Sequence, residues 1–143
     1  MQVPDIVVPA PLARLVSRLP VAPPSWALAQ VLNQMRRRGV LPADMSLLAG
    51  RHYEIEVRDL GLRLCFTASA RGFSTAAAGA PDLRLSATLA DFARMMLREE
   101  DPDTLFFHRR LVIEGDTELG LVVKNLLDSV DWSRTPLARW MTP

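Results

Sequence analysis

Residues 101–128 read DPDTLFFHRRLVIEGDTELGLVVKNLLD: a helix, a strand and a second helix, with a cap or turn residue at each junction. Asp101 is a good N-cap, and Pro102 suits the first helical position, where no N–H is needed. Thr104-Leu105-Phe106-Phe107 then makes one or two apolar turns. Leu111-Val112-Ile113 is a short β-branched run, which Glu114-Gly115-Asp116 breaks. Asp116 caps the second helix, with Glu118 in its positively polarised first turn. This last helix carries the cleanest stripe in the chain: Leu119, Val122, Val123, Leu126, Leu127 and Val130. Such a stripe must face a sheet or other helices. No part of the segment sets a nucleophile beside a base.

Upstream, the period switches at Gly50 from helical to alternating. Tyr53, Ile55 and Val57 alternate with Glu54, Glu56 and Arg58, a half-buried strand. Asp59-Leu60-Gly61 supplies a turn, and Leu62, Leu64, Phe66 and Ala68 form the second arm of an antiparallel hairpin. Arg71-Gly72 turns the chain into a weak strand around Phe73–Ala77. Leu83, Leu85 and Ala87 follow, and Leu111–Ile113 brings the expected number of strands to five. Thr88 caps a helix with Leu89, Phe92, Ala93, Met96 and Leu97 on one face. Before Gly50, Leu12, Leu15, Val16 and Leu19 recur at helical spacing. Val21-Ala22-Pro23-Pro24 reads as a stiff connector and Ser25 as the cap of a helix striped by Leu28, Val31, Leu32 and Met35. Gly39 closes that helix, and Leu41–Asp44 turns into a short helix near Met45–Leu48. After Trp132, a tail over Ser133–Pro143 combines Leu137, Trp140 and Met141 with Arg134 and Arg139.

The 143 residues suit one domain, and 49% hydrophobic with 23% charged residues is the composition of a soluble globular protein. A formal net charge of +1 argues against a dedicated nucleic-acid binder. The charge is unevenly spread. Residues 1–38 hold five arginines against Asp5 alone, and residues 91–118 hold eight acids against four arginines. The single cysteine, Cys65, excludes an internal disulfide and a cysteine-based zinc site, and favours a reduced, cytoplasmic setting. Residues 1–20 mix prolines and arginines with apolar residues and are not a clean signal-peptide core. No apolar run approaches the length of a membrane span.

Reactive constellations are sparse. His52 opens a predicted strand and His108 sits beside two arginines, an unfriendly place for a metal ion. Neither has a partner at ligand spacing, so both read as surface or helix-end histidines. Glu99, Glu100, Asp101 and Asp103 surround a helix boundary as a solvated junction and cap. Ser25, Ser69, Ser74 and Cys65 lack the setting of a nucleophile. Gly115 and Gly120 lack the spacing and the Lys-Ser/Thr of a phosphate loop. The residues therefore name no catalytic group, no metal and no cofactor. Arg36, Arg37 and Arg38 match the negative end of a helix dipole and could equally touch anionic lipid headgroups. Trp140 fits interfacial anchoring or intramolecular packing.

The segment from Asp101 to Asp128 also resembles the accessory lipid-carrier family of bacterial ubiquinone biosynthesis, the UbiT type, a branch of the sterol-carrier-protein type-2 domains. The likeness is near-continuous there, weakens to a pattern over 50–100, and before Gly50 is only a helical leader. It implies an α+β fold, a mostly antiparallel sheet packed against helices around a lipid cavity. The expected divisions are a leader (1–49), a sterol-carrier-like domain (50–132) and an amphipathic tail (133–143). The resemblance further implies a non-catalytic role in the oxygen-independent route, holding polyprenylated intermediates for partner hydroxylases, in the cytoplasm or peripherally at the inner membrane. Members of this family extend further at the C-terminus than Pro143, so any role of such an extension is not carried over.

Phe92, Met95, Met96, Phe106 and Phe107 suit the lining of a lipid site, because thioethers and rings adapt to a variable chain. Phe66, Val123 and Leu127 join them as expected lipid-binding residues. Arg36, Arg37, Arg38 and Trp140 are the expected membrane or headgroup contacts. Leu12–Leu19 is expected to act as a cover or membrane-contacting lid. The alternative function is a module that scaffolds the biosynthetic enzymes, docking through Glu99, Glu100 and Asp103.

Overall fold

Alternation from His52 onward becomes a five-stranded sheet. The structure, a computed structural model, describes residues 8–130 apart from 19, 21 and 78. The strands are β1 (His52–Val57), β2 (Leu62–Ser69), β3 (Gly72–Thr75), β4 (Leu83–Ala87) and β5 (Val112–Gly115), in the order β3-β2-β1-β4-β5. The chain meanders outward from β1 to β3, then returns to lay β4 parallel to β1; the other three pairings are antiparallel. Asp82 anchors that return. Its backbone N–H donates to the His52 carbonyl at 2.8 Å, and its carboxylate accepts from the His52 N–H at 2.7 Å.

The register places Phe73, Phe66, Tyr53, Ile55, Leu83, Leu85 and Ile113 on one face. Six helices accompany the sheet: α1 (Ala10–Ser17), α2 (Ala22–Arg37), α3 (Met45–Leu48), α4 (Leu89–Met96), α5 (Pro102–Phe107) and α6 (Thr117–Ser129). The expected caps are in place. Thr88, Asp101 and Asp116 each accept from the backbone N–H three residues on, and Asp44 caps α3 through Ser46. Leu83, Leu105, Leu111 and Val130 are almost fully enclosed in the core.

Three local expectations are corrected. Pro23 and Pro24 do not form a connector: α2 begins at Ala22 and absorbs both in its first turn, where missing N–H groups cost nothing. Ser25 therefore lies inside α2 and is not its cap. It is fully buried, and its hydroxyl accepts the Cys65 N–H at 2.8 Å. Strand β5 is displaced toward Gly115, because Leu111 turns into the core and a glycine lets the strand run on. Gly115 has φ +120°, and a Cβ there would lie 2.2 Å from the Asp82 carbonyl oxygen. Helix α1 ends at Ser17; Leu19, Trp132 and the tail from 133 lie outside the described residues.

Helix α2 packs on β2 and β3, and its Asn33 covers Phe73 on the β3 edge. Buried charges fasten the other end of the molecule. Asp91 on α4 bonds Arg94 and Arg110, and Arg110 also reaches Glu100. Arg98 donates to the Asp128 and Val130 carbonyls, tying the end of α6 to the end of α4.

Candidate functional site

The inner sheet face does not close completely against its helices. A cavity of about 80 Å3 lies between β1–β4 and helices α2, α3 and α6. Tyr53, Ile55, Phe66, Phe73, Leu83 and Leu85 form its floor, with Glu54 bordering it between Tyr53 and Ile55; Leu32, Leu41, Leu48, Val123, Leu126 and Leu127 form its walls. The exposed wall atoms are all apolar. Tyr53 stacks on Phe66 with ring centroids 5.1 Å apart, and Phe66 meets Phe73 edge-on at 5.9 Å. The Tyr53 hydroxyl does not present itself to a ligand, because it donates to the Leu48 carbonyl at 2.8 Å. Burial pushes that phenol up to about 12, so it stays a neutral donor.

Alternation sends Glu54 to the opposite face. There Arg63 donates to it at 2.9 Å and Arg84 also bonds it. Burial works against the Glu54 charge, but the two guanidinium bonds more than offset it and hold the carboxyl below its usual range. The Cys65 thiol lies 3.7 Å from Glu54; burial and then that negative charge push it up, so it remains a thiol. Among the described residues no group of three His, Cys, Asp or Glu could hold a metal ion. What the cavity can do is replace water around hydrocarbon.

Of the residues singled out in the sequence, Phe66, Val123 and Leu127 meet at this cavity. Phe92, Met95, Met96, Phe106 and Phe107 do not line it. Met95 is buried and Phe92 packs at the margin of the core. Helix α5 buries Pro102 and Leu105, which turns Phe106 and Phe107 outward, 41% and 85% exposed. Phe106 lies instead under the Lys124 ammonium at 5.1 Å. Tyr53, Phe73, Leu83 and Leu85 were readable as an inward strand face, but only the register shows that they share one floor. Arg37 and Arg38 are exposed, Arg36 is half-buried with a bond to the Arg71 carbonyl, and Trp140 lies outside the described residues. Leu12, Leu15, Trp26 and Leu47 are exposed apolar side chains on α1, α2 and α3. No helix among the described residues is long and apolar enough to cross a membrane.

The family model described as the SCP-2 sterol transfer family matches residues 29–128. The ubiquinone biosynthesis accessory factor UbiT of Escherichia coli (strain K12) is 41% identical over 131 residues, which cover 91% of this chain and 75% of that protein. A solved structure, the UbiJ-SCP2 ubiquinone synthesis protein, is similar with a TM-score of 0.56 at 19% identity, covering 73% of this chain and 92% of the other.

Proposed function

This chain belongs to the SCP-2 sterol transfer family and, within it, to the UbiT accessory factors; on that premise we propose that it is a non-catalytic lipid holder of ubiquinone biosynthesis. The ligands are polyprenylated intermediates of the oxygen-independent route, kept for partner hydroxylases. The observation that carries this reading is the wholly apolar cavity over Tyr53, Phe66 and Leu83. Its surface suits the end of a hydrocarbon tail and exposes no polar atom to orient a head, so the head remains outside while the tail end enters. Phe66, Val123 and Leu127 are the lipid-binding residues of the expected set, joined by the other wall residues.

Each buried CH2 contributes about 0.8 kcal/mol, so enclosing roughly ten supplies about 8 kcal/mol before ordering costs. The hollow as it stands accepts only a few groups of that size. A longer tail must displace side chains, and the half-buried Leu32, Leu126 and Leu127 are the walls that can yield. The same device limits affinity and allows release. The bound tail replaces leucine contacts as well as water.

Leu12 and Leu15 on α1, with the exposed Arg37 and Arg38, complete the proposal as the surface that meets the inner membrane. The deciding experiment is lipid extraction of the full chain purified from a ubiquinone-producing host, followed by mass spectrometry. Polyprenylated benzenoid species at near-stoichiometric yield are expected. Protein that carries none, and takes up none from vesicles, would overturn the reading.

A further inference from the structure

We infer that the β5 edge is a docking site for an extended segment of a partner protein in which basic and apolar residues alternate. The two edges of the sheet are treated differently. At β3, Asn33 of α2 exchanges two bonds with the outward-facing backbone of Phe73, and just past the end of that strand Ser25 takes the N–H of Cys65 on β2, so α2 covers this edge at two points. Among the described residues strand β5 has no such cover. The Asp116 N–H donates to Asp82, so antiparallel alternation turns the backbone of Glu114 toward β4 and that of Ile113 and Gly115 outward. Among the described residues neither Ile113 nor Gly115 makes a backbone bond to a loop, turn or cap.

Charge identifies the occupant on one face. Register aligns Glu54, Arg84 and Glu114 in a row across β1, β4 and β5. Signs alternate along the row, and Arg84 is taken by Glu54. Glu114 is exposed and forms no ion pair among the described residues. The next position in the row, on a strand added beyond β5, calls for a cation. The acids Glu100 and Asp103 are unsuited to this, because Arg110 and Lys124 already hold them.

Shape identifies the occupant on the other face. Beside β5 lies a groove of about 210 Å3 whose apolar walls are Phe106, Ile113 and Leu121, with Gly115, Gly120 and Lys124 beside them and Asp116 and Thr117 at one end. Phe106 and Leu121 are 41% and 51% exposed there. The residue facing this groove on an added strand sits one position from the cation, so the period of two demands an apolar side chain. A second copy of this chain fits less well, since symmetric pairing brings a second Glu114 to the acidic end of the row. The inference is independent of the lipid reading.

The test uses the full chain with an acetylated, amidated heptapeptide of alternating lysine and valine. Controls are the glutamate–valine peptide and a lysine–valine peptide N-methylated on alternate backbone nitrogens. Expected are NMR shifts confined to residues 112–116, Phe106 and Leu121, with slowed amide exchange at Ile113 and Gly115. The N-methylated peptide should fail, and Glu114→Lys should weaken binding about fivefold while admitting the glutamate–valine peptide. Absence of shifts at millimolar peptide, shifts elsewhere, or equal binding of the N-methylated peptide would overturn the proposal. So would concentration-dependent dimerisation protecting the same amides.

Discussion

The Asn33 side-chain amide replaces a missing strand for Phe73. Its Nδ2 donates to the Phe73 carbonyl at 2.8 Å, and its Oδ1 accepts the Phe73 N–H at 2.7 Å. An amide is the side chain whose donor and acceptor match a backbone peptide, so one residue of α2 stands in for a neighbouring strand at Phe73. Asn33→Ala should cost about 1–3 kcal/mol, because two partly buried backbone groups lose their partner. Asn33→Asp keeps the acceptor and loses the donor, so a smaller loss is expected. Urea unfolding of the three proteins checks the order; equal stability of wild type and Asn33→Ala would show that water serves Phe73 as well.

Gly115 has no tolerable substitute. A Cβ meets the Asp82 carbonyl at 2.2 Å, and the partner atom is backbone, which cannot swing away. Gly39 also has positive φ but opens onto empty space. Gly39→Ala should therefore cost about 1 kcal/mol from backbone strain, and Gly115→Ala clearly more. Thermal unfolding of both variants decides. A Gly115→Ala protein as stable as Gly39→Ala would show that β5 can slide.

The stability of this protein should fall in acid for a stated reason. Burial raises the Glu54 carboxyl and the Arg63 and Arg84 bonds lower it further than that; Asp91 is treated alike by burial and by Arg110 and Arg94. Both end below their ordinary values of 4.5 and 3.8, so the unfolded chain binds protons first. The stabilisation is complete above those values and is lost as pH falls through them and on through the folded values. Glu54→Gln should flatten the acid limb of a plot of urea midpoint against pH. An unchanged slope would place the titration elsewhere.

What the sequence disclosed follows the range of the interactions. Thr88, Asp101 and Asp116 were readable as caps because each closes a bond within three residues. Ser25 looked like another cap, but its partner Cys65 is forty residues away and nothing local signals it. The strand alternation revealed one inward face, including Phe66. It could not reveal that β4 returns parallel beside β1, which is what brings Leu83 next to Tyr53. Phe106 and Phe107 suggested a lipid lining because aromatic rings adapt to a variable chain. Helix α5 has six residues and one buried side, occupied by Pro102 and Leu105, so both rings face out.

Filling the cavity and enlarging it should separate binding from stability. Leu126 is half-buried at the cavity wall, so Leu126→Trp can place its ring in the hollow with a cost of about 1–3 kcal/mol or less. Lipid recovered from that variant should fall several-fold. Leu83 is 1% exposed on the floor, and Leu83→Ala should cost about 2–5 kcal/mol. If the folded fraction of Leu126→Trp keeps its full lipid load, the tail lies elsewhere.

Helix α1 provides the last test, because it turns Ala13 and Val16 toward the fold and leaves Leu12 and Leu15 facing out. None of its residues is buried, and Leu12 and Leu15 are 49% and 66% exposed. Neither lines the cavity. Full burial of a leucine contributes about 1.5–3 kcal/mol, so partial insertion of two corresponds to roughly a tenfold change in partitioning. The pair Leu12→Ser and Leu15→Ser should reduce sedimentation with phosphatidylglycerol vesicles by about that factor. Lipid already held by the protein should be retained equally, since the cavity walls are untouched. If vesicle binding is unchanged and retained lipid falls instead, α1 acts as a cover on the ligand; if both are unchanged, neither role belongs to it.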